Sequence, residues 1–543
     1  MKDTPVLIKR IKRYGSINIV LFLLLAWILV SFYMHDNHSS VIDFVSDLKL
    51  RSVVLVFFYL AVSWISFHFY SKVSCFVVLI GLLLFSLKEA YAGSVQLYQG
   101  APYPVGTLLN PNIYACLLSV TCSILAVVVS QLRKRLLRVP LYLILGWFVV
   151  LMILAKSRLA FLSLVVPVIC FFSLDQRYSG FIRKHMLIIS IVLTVSFVVL
   201  YFLKKPSADG RLYMARIATR IIMRNDIWGV GSEGFAGAFG YEQYRYFSED
   251  SDQVDLNAIV NLNSGDTLYA CAPMTAFNEF LRIGVEYGVI AMLLSFYIMI
   301  RAVVVLIRKG TPLGYGLLSL FIISHFSYPH CFSAYDLLLS VFLGAAGSLD
   351  CQLTKNGLRY LPCIEKVIEV LFLGTILNLE MPQIRERQRV DDMERDIAFF
   401  FRNQEYSVVC KYCEEKIDNK FLNSNLLYGY GVSLSMMGQY EKSDSILREG
   451  ASRSSNPVFW HEIGNNYVRS SSFDRAEEAY IRSFMMVPNR MTPLLYLAQL
   501  YHSTGDKEKL ERIAAFSETF QPKVPSYTTK QYHETIKQLA NEE

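Results

Sequence analysis

Arg158 stands in Lys156-Ser157-Arg158, between apolar runs that leave no room for a hydrated loop. A cation held there is costly, so it either marks a functional site or snorkels to lipid headgroups. A guanidinium at such a place offers a planar fork that binds phosphate oxygens two at a time. More cations follow in residues 204–224: Lys204, Lys205, Arg211, Arg216, Arg220 and Arg224, against the single acid Asp209. Arg216, Arg220 and Arg224 are spaced to share one helix face, with Ile217 and Ile221 opposite. That face reads as an anion site or as a headgroup anchor at the membrane–water boundary. The chain then changes sign, with Glu242, Glu249, Asp250, Asp252, Asp255 and Asp266 against Arg245. The spacing of Asp250, Asp252 and Asp255 lacks the glycine and distal glutamate of a calcium loop, so it reads as a solvated acidic stretch. Cys410 and Cys413 have metal-ligand spacing but no second pair, and they fall inside an expected helix. No metal or cofactor is therefore expected.

The elements that must position these residues follow from composition. The chain has 543 residues, 53% of them apolar and only 18% charged, where an average soluble domain carries roughly 25% charged residues. With a mean hydropathy of +0.36, this excludes a soluble cytosolic enzyme, a disulfide scaffold and a disordered chain. The net charge of +8 says little until the basic residues are placed along the chain, and no nucleic-acid partner is expected. The run from Tyr14 to Met34 follows a basic start without a small-residue cleavage site and reads as a signal anchor.

Apolar runs of spanning length lie at 15–34, 52–71, 73–88, 108–130, 139–155, 159–174, 186–203, 279–300, 313–330 and 334–349, with a weaker one at 366–380. The expected fold is thus an all-α polytopic transmembrane bundle of about eleven spans. Lys2, Lys9, Arg10, Lys12 and Arg13 put the N-terminus in the cytoplasm, and alternate loops repeat the bias through Arg133–Arg138, Arg177–Lys184, Arg308–Lys309 and Lys355–Arg359. That count places the polar loop 204–277 outside. If 366–380 spans, the soluble tail lies outside with it. The domain expectation is a membrane domain over 1–380 and a second domain over 381–543.

The tail carries Trp460, Ile463, Gly464 and Tyr467, then Ala476, Tyr480 and Pro488, the spacing of a tetratricopeptide repeat. Leu494, Leu497, Ala498 and Tyr501 repeat the offsets downstream, and Leu427, Tyr430, Gly431 and Leu434 repeat them upstream. Stacked helix pairs of this kind bury a continuous core and leave a concave face. They serve either to capture a protein partner or to pack against the rest of the chain.

Gly210-Arg211, Asp226 and Gly229-Val230-Gly231-Ser232-Glu233-Gly234-Phe235 together resemble a stretch of the O-antigen ligase and polymerase superfamily, which includes protein O-oligosaccharyltransferases. Ser157-Arg158-Leu159-Ala160 is similar to its Ser-Arg membrane motif, and Asn110-Pro111-Asn112 to its Asn-rich helix start. Asn278-Glu279-Phe280-Leu281, followed by Gly284, Glu286 and Gly288, resembles the motif that opens the helix after its exterior loop. The repeat tail is similar to that of many Bacteroidetes members.

The resemblance implies a C-type membrane glycosyltransferase fold at the bacterial inner membrane, working without metal or nucleotide sugar. Such an enzyme takes a glycan from undecaprenyl pyrophosphate to lipid A-core or to a protein hydroxyl. It also implies that Arg158 and Arg211 bind the donor pyrophosphate, helped by Arg216, Arg220, Lys156 and Asn112, with Asn278 and Glu279 at the catalytic motif. The family's histidine before the asparagine is absent, and Phe277 stands in its place. Either another residue serves as base, with Glu279, His325, His330 and Asp266 as candidates, or activation of the acceptor is mostly positional. Competing expectations are a glycan polymerase, a transporter and a non-enzymatic scaffold. No repeated halves favour a transporter, and a scaffold does not account for Arg158.

Overall fold

A chain this apolar must satisfy its backbone polar groups internally, and helices do so within one segment. The computed structural model describes residues 16–35, 72–203, 205–251, 254–262, 264–351, 392–416 and 423–542, and every regular element among them is helical. In chain order these are α1 (Ser16–His35), α2 (Lys72–Tyr98), α3 (Pro111–Gln131), α4 (Arg135–Leu154), α5 (Arg158–Leu174), α6 (Ser179–Leu203), α7 (Lys205–Arg224), α8 (Phe235–Phe247), α9 (Leu256–Val260), α10 (Glu279–Arg308), α11 (Leu313–Phe326) and α12 (Ser333–Cys351). A helix at 392–402 follows, then α13 (Tyr406–Lys416), α14 (Ser424–Met436), α15 (Tyr440–Ser452), α16 (Val458–Arg469), α17 (Phe473–Met486), α18 (Thr492–Thr504), α19 (Lys507–Thr519) and α20 (Tyr527–Asn541). The chain divides into two compact units. One comprises Met1–Lys205, Phe277–Gly284 and Val289–Glu380, and the other Pro206–Ala276, Val285–Gly288 and Met381–Glu543. The polar segment after α6 thus belongs with the C-terminal helices.

Among the described residues, and mostly in the first unit, four helices are long and apolar enough to cross a membrane: Val78–Tyr98, Pro111–Gln131, Arg135–Leu154 and Glu279–Arg308. Shorter apolar helices run over Arg158–Leu174, Leu313–Phe326 and Ala334–Gly347. The runs at 52–71 and 366–380 lie outside the described residues. Helix α3 is the centre of this unit, with 83% of its apolar window buried against 17% for α4. Small polar residues let the helices close on it: Ser119 and Ser163 share a 2.7 Å hydrogen bond, as do Ser86 and Thr121. Asp350 ties three helices, accepting from Arg301 of α10 at 2.8 Å and from the backbone N–H of Ile17 at 3.2 Å.

Two expected spans change shape. The run at 73–88 continues to Tyr98 because Glu89 is satisfied in place: its carboxylate accepts from the Thr107 N–H at 2.7 Å and the Thr107 hydroxyl at 2.5 Å. The run at 313–330 stops at Phe326, since Pro329 disfavours helical backbone at Tyr328, which sits at φ −121°, ψ 58°.

The second unit joins 206–276 to the C-terminal helices through a buried hub, Gln243 of α8. Its carbonyl accepts from Tyr213 at 3.0 Å and from the Cys271 N–H at 3.3 Å, and its amide donates to the Met486 and Cys271 carbonyls. Around it, Ser455 donates to Pro273 O at 2.8 Å, and Asn489 to Thr267 O and Ala270 O at 2.8 Å each. Arg482 lies between aromatic faces, 5.0 Å from the Tyr244 ring centre and 4.0 Å from Trp460. Cys410 and Cys413 pack with Val409, Leu426 and Tyr430 in an apolar cluster, where burial pushes both thiols up.

Gly237 and Gly240, one helical turn apart on α8, let that helix touch backbone directly. A Cβ at Gly237 would meet Ser452 O at 1.8 Å, and one at Gly240 would meet Ser455 Cα at 2.8 Å. Gly237→Val should therefore destabilise the second unit by about 1–3 kcal/mol through overpacking. Gly265→Ala, with nothing within 4 Å, should leave it unchanged. Thermal unfolding and limited proteolysis of the purified full-length protein check the difference.

Candidate functional site

Three helices of the first unit begin on side-chain caps, and those beginnings are tied to one turn. Asn110 caps α3, its Oδ1 accepting from the N–H groups of Asn112 at 2.9 Å and Ile113 at 3.2 Å. Ser157 caps α5, accepting from the Ala160 N–H at 3.3 Å. Asn278 caps α10, accepting from Phe280 at 2.9 Å and Leu281 at 3.1 Å. Each cap answers the orphan N–H groups that a helix start leaves in an apolar bundle.

The caps are cross-linked. Ser157 donates to Asn112 Oδ1 at 2.7 Å, and Asn112 Nδ2 donates to Ser327 at 3.4 Å. Asn110 Nδ2 donates to the Tyr328 hydroxyl at 3.2 Å, and the Phe277 ring meets Tyr328 edge-on at 5.0 Å. Glu279, 2% exposed, accepts from the His330 N–H at 3.0 Å and from Arg282 Nε at 2.7 Å. The turn 327–330 therefore gathers the positive ends of three helix dipoles. The caps already occupy most of the first-turn N–H groups, so what remains for an anion is the dipole field and the side chains. Arg158 lies half-buried at the first position of α5. Lys156 precedes it in a left-handed conformation at φ 52°, with its ammonium 5.2 Å from the Tyr103 ring centre. A non-glycine residue held there costs backbone energy and lets α5 start immediately after α4 ends.

The other expected cations lie in the second unit. Arg211 is half-buried on α7. Arg216 pairs with Asp266 at 2.5 Å, and Arg220 with Glu242 at 2.7 Å. Arg224 pairs with Asp250 at 2.6 Å and Glu242 at 3.1 Å. The three arginines do share a face opposite Ile217 and Ile221, which are buried. That face meets carboxylates of α8 and the following segment, so Arg216 and Arg220 hold the loop together. Nor is Asp250 merely solvated. The Arg224 hydrogen bond, then the charges of Arg224, Arg245 and Arg220, pull its carboxyl down to about 2 against some desolvation. Asp255 caps α9 by accepting from the Ala258 N–H at 3.3 Å, and Asp252 lies outside the described residues.

The glycine-rich turn has a structural use. Helix α10 breaks at Gly288, which sits at φ 85°, ψ 168°. The carbonyls of Val285 and Glu286 accept instead from the N–H groups of Val230 at 2.9 Å and Gly231 at 3.1 Å. A Cβ at Gly229 would lie 2.6 Å from the Glu286 carbonyl, and one at Gly288 would lie 1.7 Å from Ile227 O. Backbone meets backbone there, so both positions exclude any side chain.

Among the candidate bases, Asp266 is taken by Arg216 and by Tyr246 at 2.6 Å. His325 points Nδ1 at Phe321 O at 2.9 Å and packs among Phe280, Phe296 and Phe321. Both Glu279 oxygens are engaged. His330 differs, with Nδ1 3.0 Å from Asp336 Oδ1. Sequence reasoning did not single out Tyr328 or Asp336. The available signal was the proline turn itself, which interrupts an apolar run between two helices. No protein-family model matches this chain, and no curated protein matches it significantly.

The carboxyl of Asp250 is depressed from 3.8 to about 2, which fixes the sign of a pH effect. Its stabilisation is fully present above about pH 4 and is lost as pH falls through 2. Unfolding temperatures of wild type and Asp250→Asn should therefore differ above pH 4 and converge toward pH 2, as read by thermal unfolding across that range.

Proposed function

We propose that this chain is a membrane glycosyltransferase. It moves a glycan from undecaprenyl pyrophosphate to lipid A-core or a protein hydroxyl at the outer face of the bacterial inner membrane. The observation that carries the reading is the meeting of three capped helix starts at the turn 327–330, with Arg158 at the first position of one. In a glycan transfer of this type negative charge grows on the departing pyrophosphate oxygens. Preorganised cations and dipoles in a water-poor site lower that barrier. Arg158 is assigned to the pyrophosphate on this ground and Arg211 on the family resemblance alone, and Asn112 and Ser157 orient the start of α5. Arg216 and Arg220 are assigned to the architecture of the loop.

The reading extends to topology. It takes about eleven spans, and the C-terminal helices as tetratricopeptide repeats. The segment 206–276 and the C-terminal helices form one compact unit, so a loop that the charge count puts outside takes the tail with it. That supports an outside tail and favours the repeats as a support for the loop over a freely moving capture arm.

Arg158→Ala and Arg211→Ala should each abolish transfer from a lipid-linked donor in membranes with normal protein level. Lysine should restore only part of the activity, because it lacks the bidentate fork. Excess chelator should leave transfer intact. Full activity in either alanine variant removes that arginine from the site. In fusions at Glu543, alkaline phosphatase should be active and green fluorescent protein dark; the reverse places the tail in the cytoplasm.

A further inference from the structure

Between α11 and α12, His330 is held from three sides. Asp336, itself 5% exposed on α12, lies with Oδ1 3.0 Å from His330 Nδ1. Glu279, from the first turn of α10, accepts from the His330 backbone N–H at 3.0 Å and is paired with Arg282. On the far side of the ring, Ser324 Oγ is 3.5 Å from Nε2, and the Ser324 hydroxyl also donates to Leu320 O at 2.9 Å. A carboxylate at Nδ1 fixes the tautomer with hydrogen on Nδ1 and leaves the Nε2 lone pair available. The 3.5 Å contact with Ser324 is too long to tie that nitrogen down. The His330 side chain is 13% exposed, so it is braced without being sealed.

The imidazole also sits at the end of the bundle where an anion is favoured. Its backbone is bonded to the helix that Asn278 caps, and two residues before it Tyr328 bonds to Asn110. An oriented imidazole next to a converging set of helix dipoles combines a proton acceptor with a pyrophosphate subsite.

We propose that His330 is the general base that activates the acceptor hydroxyl, with Asp336 as its positioning residue; this rests on the glycosyltransferase reading above. The acceptor oxygen forms a bond to the anomeric carbon as its proton passes to His330 Nε2. The bond from that carbon to the pyrophosphate oxygen breaks, and the lipid pyrophosphate leaves with the electron pair. The imidazolium then gives its proton to water. The charged groups nearest the imidazole in these contacts are Asp336 on α12 and the Glu279–Arg282 pair on α10, with the neutral Ser324 hydroxyl approaching from α11.

The test uses the full-length protein in detergent, with a short-chain lipid-pyrophosphate oligosaccharide as donor and a hydroxyl acceptor. Donor binding and transfer are measured separately. His330→Gln should retain donor binding and lose kcat by about 10²–10⁴-fold, the usual contribution of general base catalysis. Asp336→Asn should also retain donor binding and lower kcat, because an amide no longer fixes the imidazole with Nε2 free, and Asp336→Glu should restore part of the loss. A purely structural role would lower protein level and donor binding together with kcat. If His330→Gln fails to accumulate, the Asp336→Asn and Asp336→Glu pair decides alone. Transfer within about threefold of wild type in His330→Gln, or an unchanged kcat in Asp336→Asn, overturns the assignment while leaving the glycosyltransferase reading in place. A wild-type protein that binds the donor but transfers nothing to any hydroxyl acceptor overturns both.

Discussion

A helix that begins inside an apolar bundle leaves N–H groups with neither water nor a preceding turn to accept them. Each unsatisfied group costs several kcal/mol in such surroundings. The first unit answers this constraint three times, with Asn110, Ser157 and Asn278, and then fastens the answers together. Asn112 takes the Ser157 hydroxyl and gives its amide to Ser327, so the start of α3 fixes the start of α5. Glu279 grips the backbone of His330, so the start of α10 fixes the turn after α11. A polar network at this depth is favourable only when its members are satisfied, and here the caps accept from the helices they start. The chemistry proposed for the chain sits where this requirement concentrates dipoles and polar side chains.

The same backbone accounting explains the break in α10. Once Gly288 leaves helical geometry, the carbonyls of Val285 and Glu286 need other donors, and Val230 and Gly231 supply them. A glycine-rich sequence is often taken for a ligand cradle. In this chain Gly229 and Gly288 are explained by the approach of one backbone to another, and the positive φ of both suits that use. The cationic stripe on α7 teaches a parallel lesson: Arg216, Arg220 and Arg224 had the spacing of an anion site, yet carboxylates of the same unit neutralise them. Like charges four residues apart on a helix are tolerable when acids from elsewhere in the fold interleave with them.

Much of the architecture was legible because its signals are local. Hydrophobic runs without interruption marked the apolar helices, and Gly464, singled out by its spacing, meets Tyr480 where two C-terminal helices close. Asn110, Ser157 and Asn278 sit at helix starts where capping chemistry predicts them. What lay beyond the sequence was every pairing made at long range. The extension of α2 to Tyr98 needs Thr107 to satisfy Glu89, and the end of α11 at Phe326 needs the Pro329 turn. The joining of 206–276 to the C-terminal helices depends on Gln243, Gly237 and Gly240, none of which carries a periodic signature. The pairing of His330, which the sequence did offer, with Asp336 belongs to the same class, since only the turn between α11 and α12 brings the two together.

The central claim is that the capped helix starts around the turn 327–330 form the pyrophosphate subsite. Photo-crosslinking tests it most directly, using a short-chain lipid pyrophosphate with a photoreactive group next to the phosphates, followed by peptide mapping of the full-length protein. The account predicts labelling in peptides containing Asn112, Ser157–Arg158 or Tyr328, and its loss when unlabelled lipid pyrophosphate is added in excess. Competable labelling confined to the C-terminal helices, with none at those positions, would contradict it.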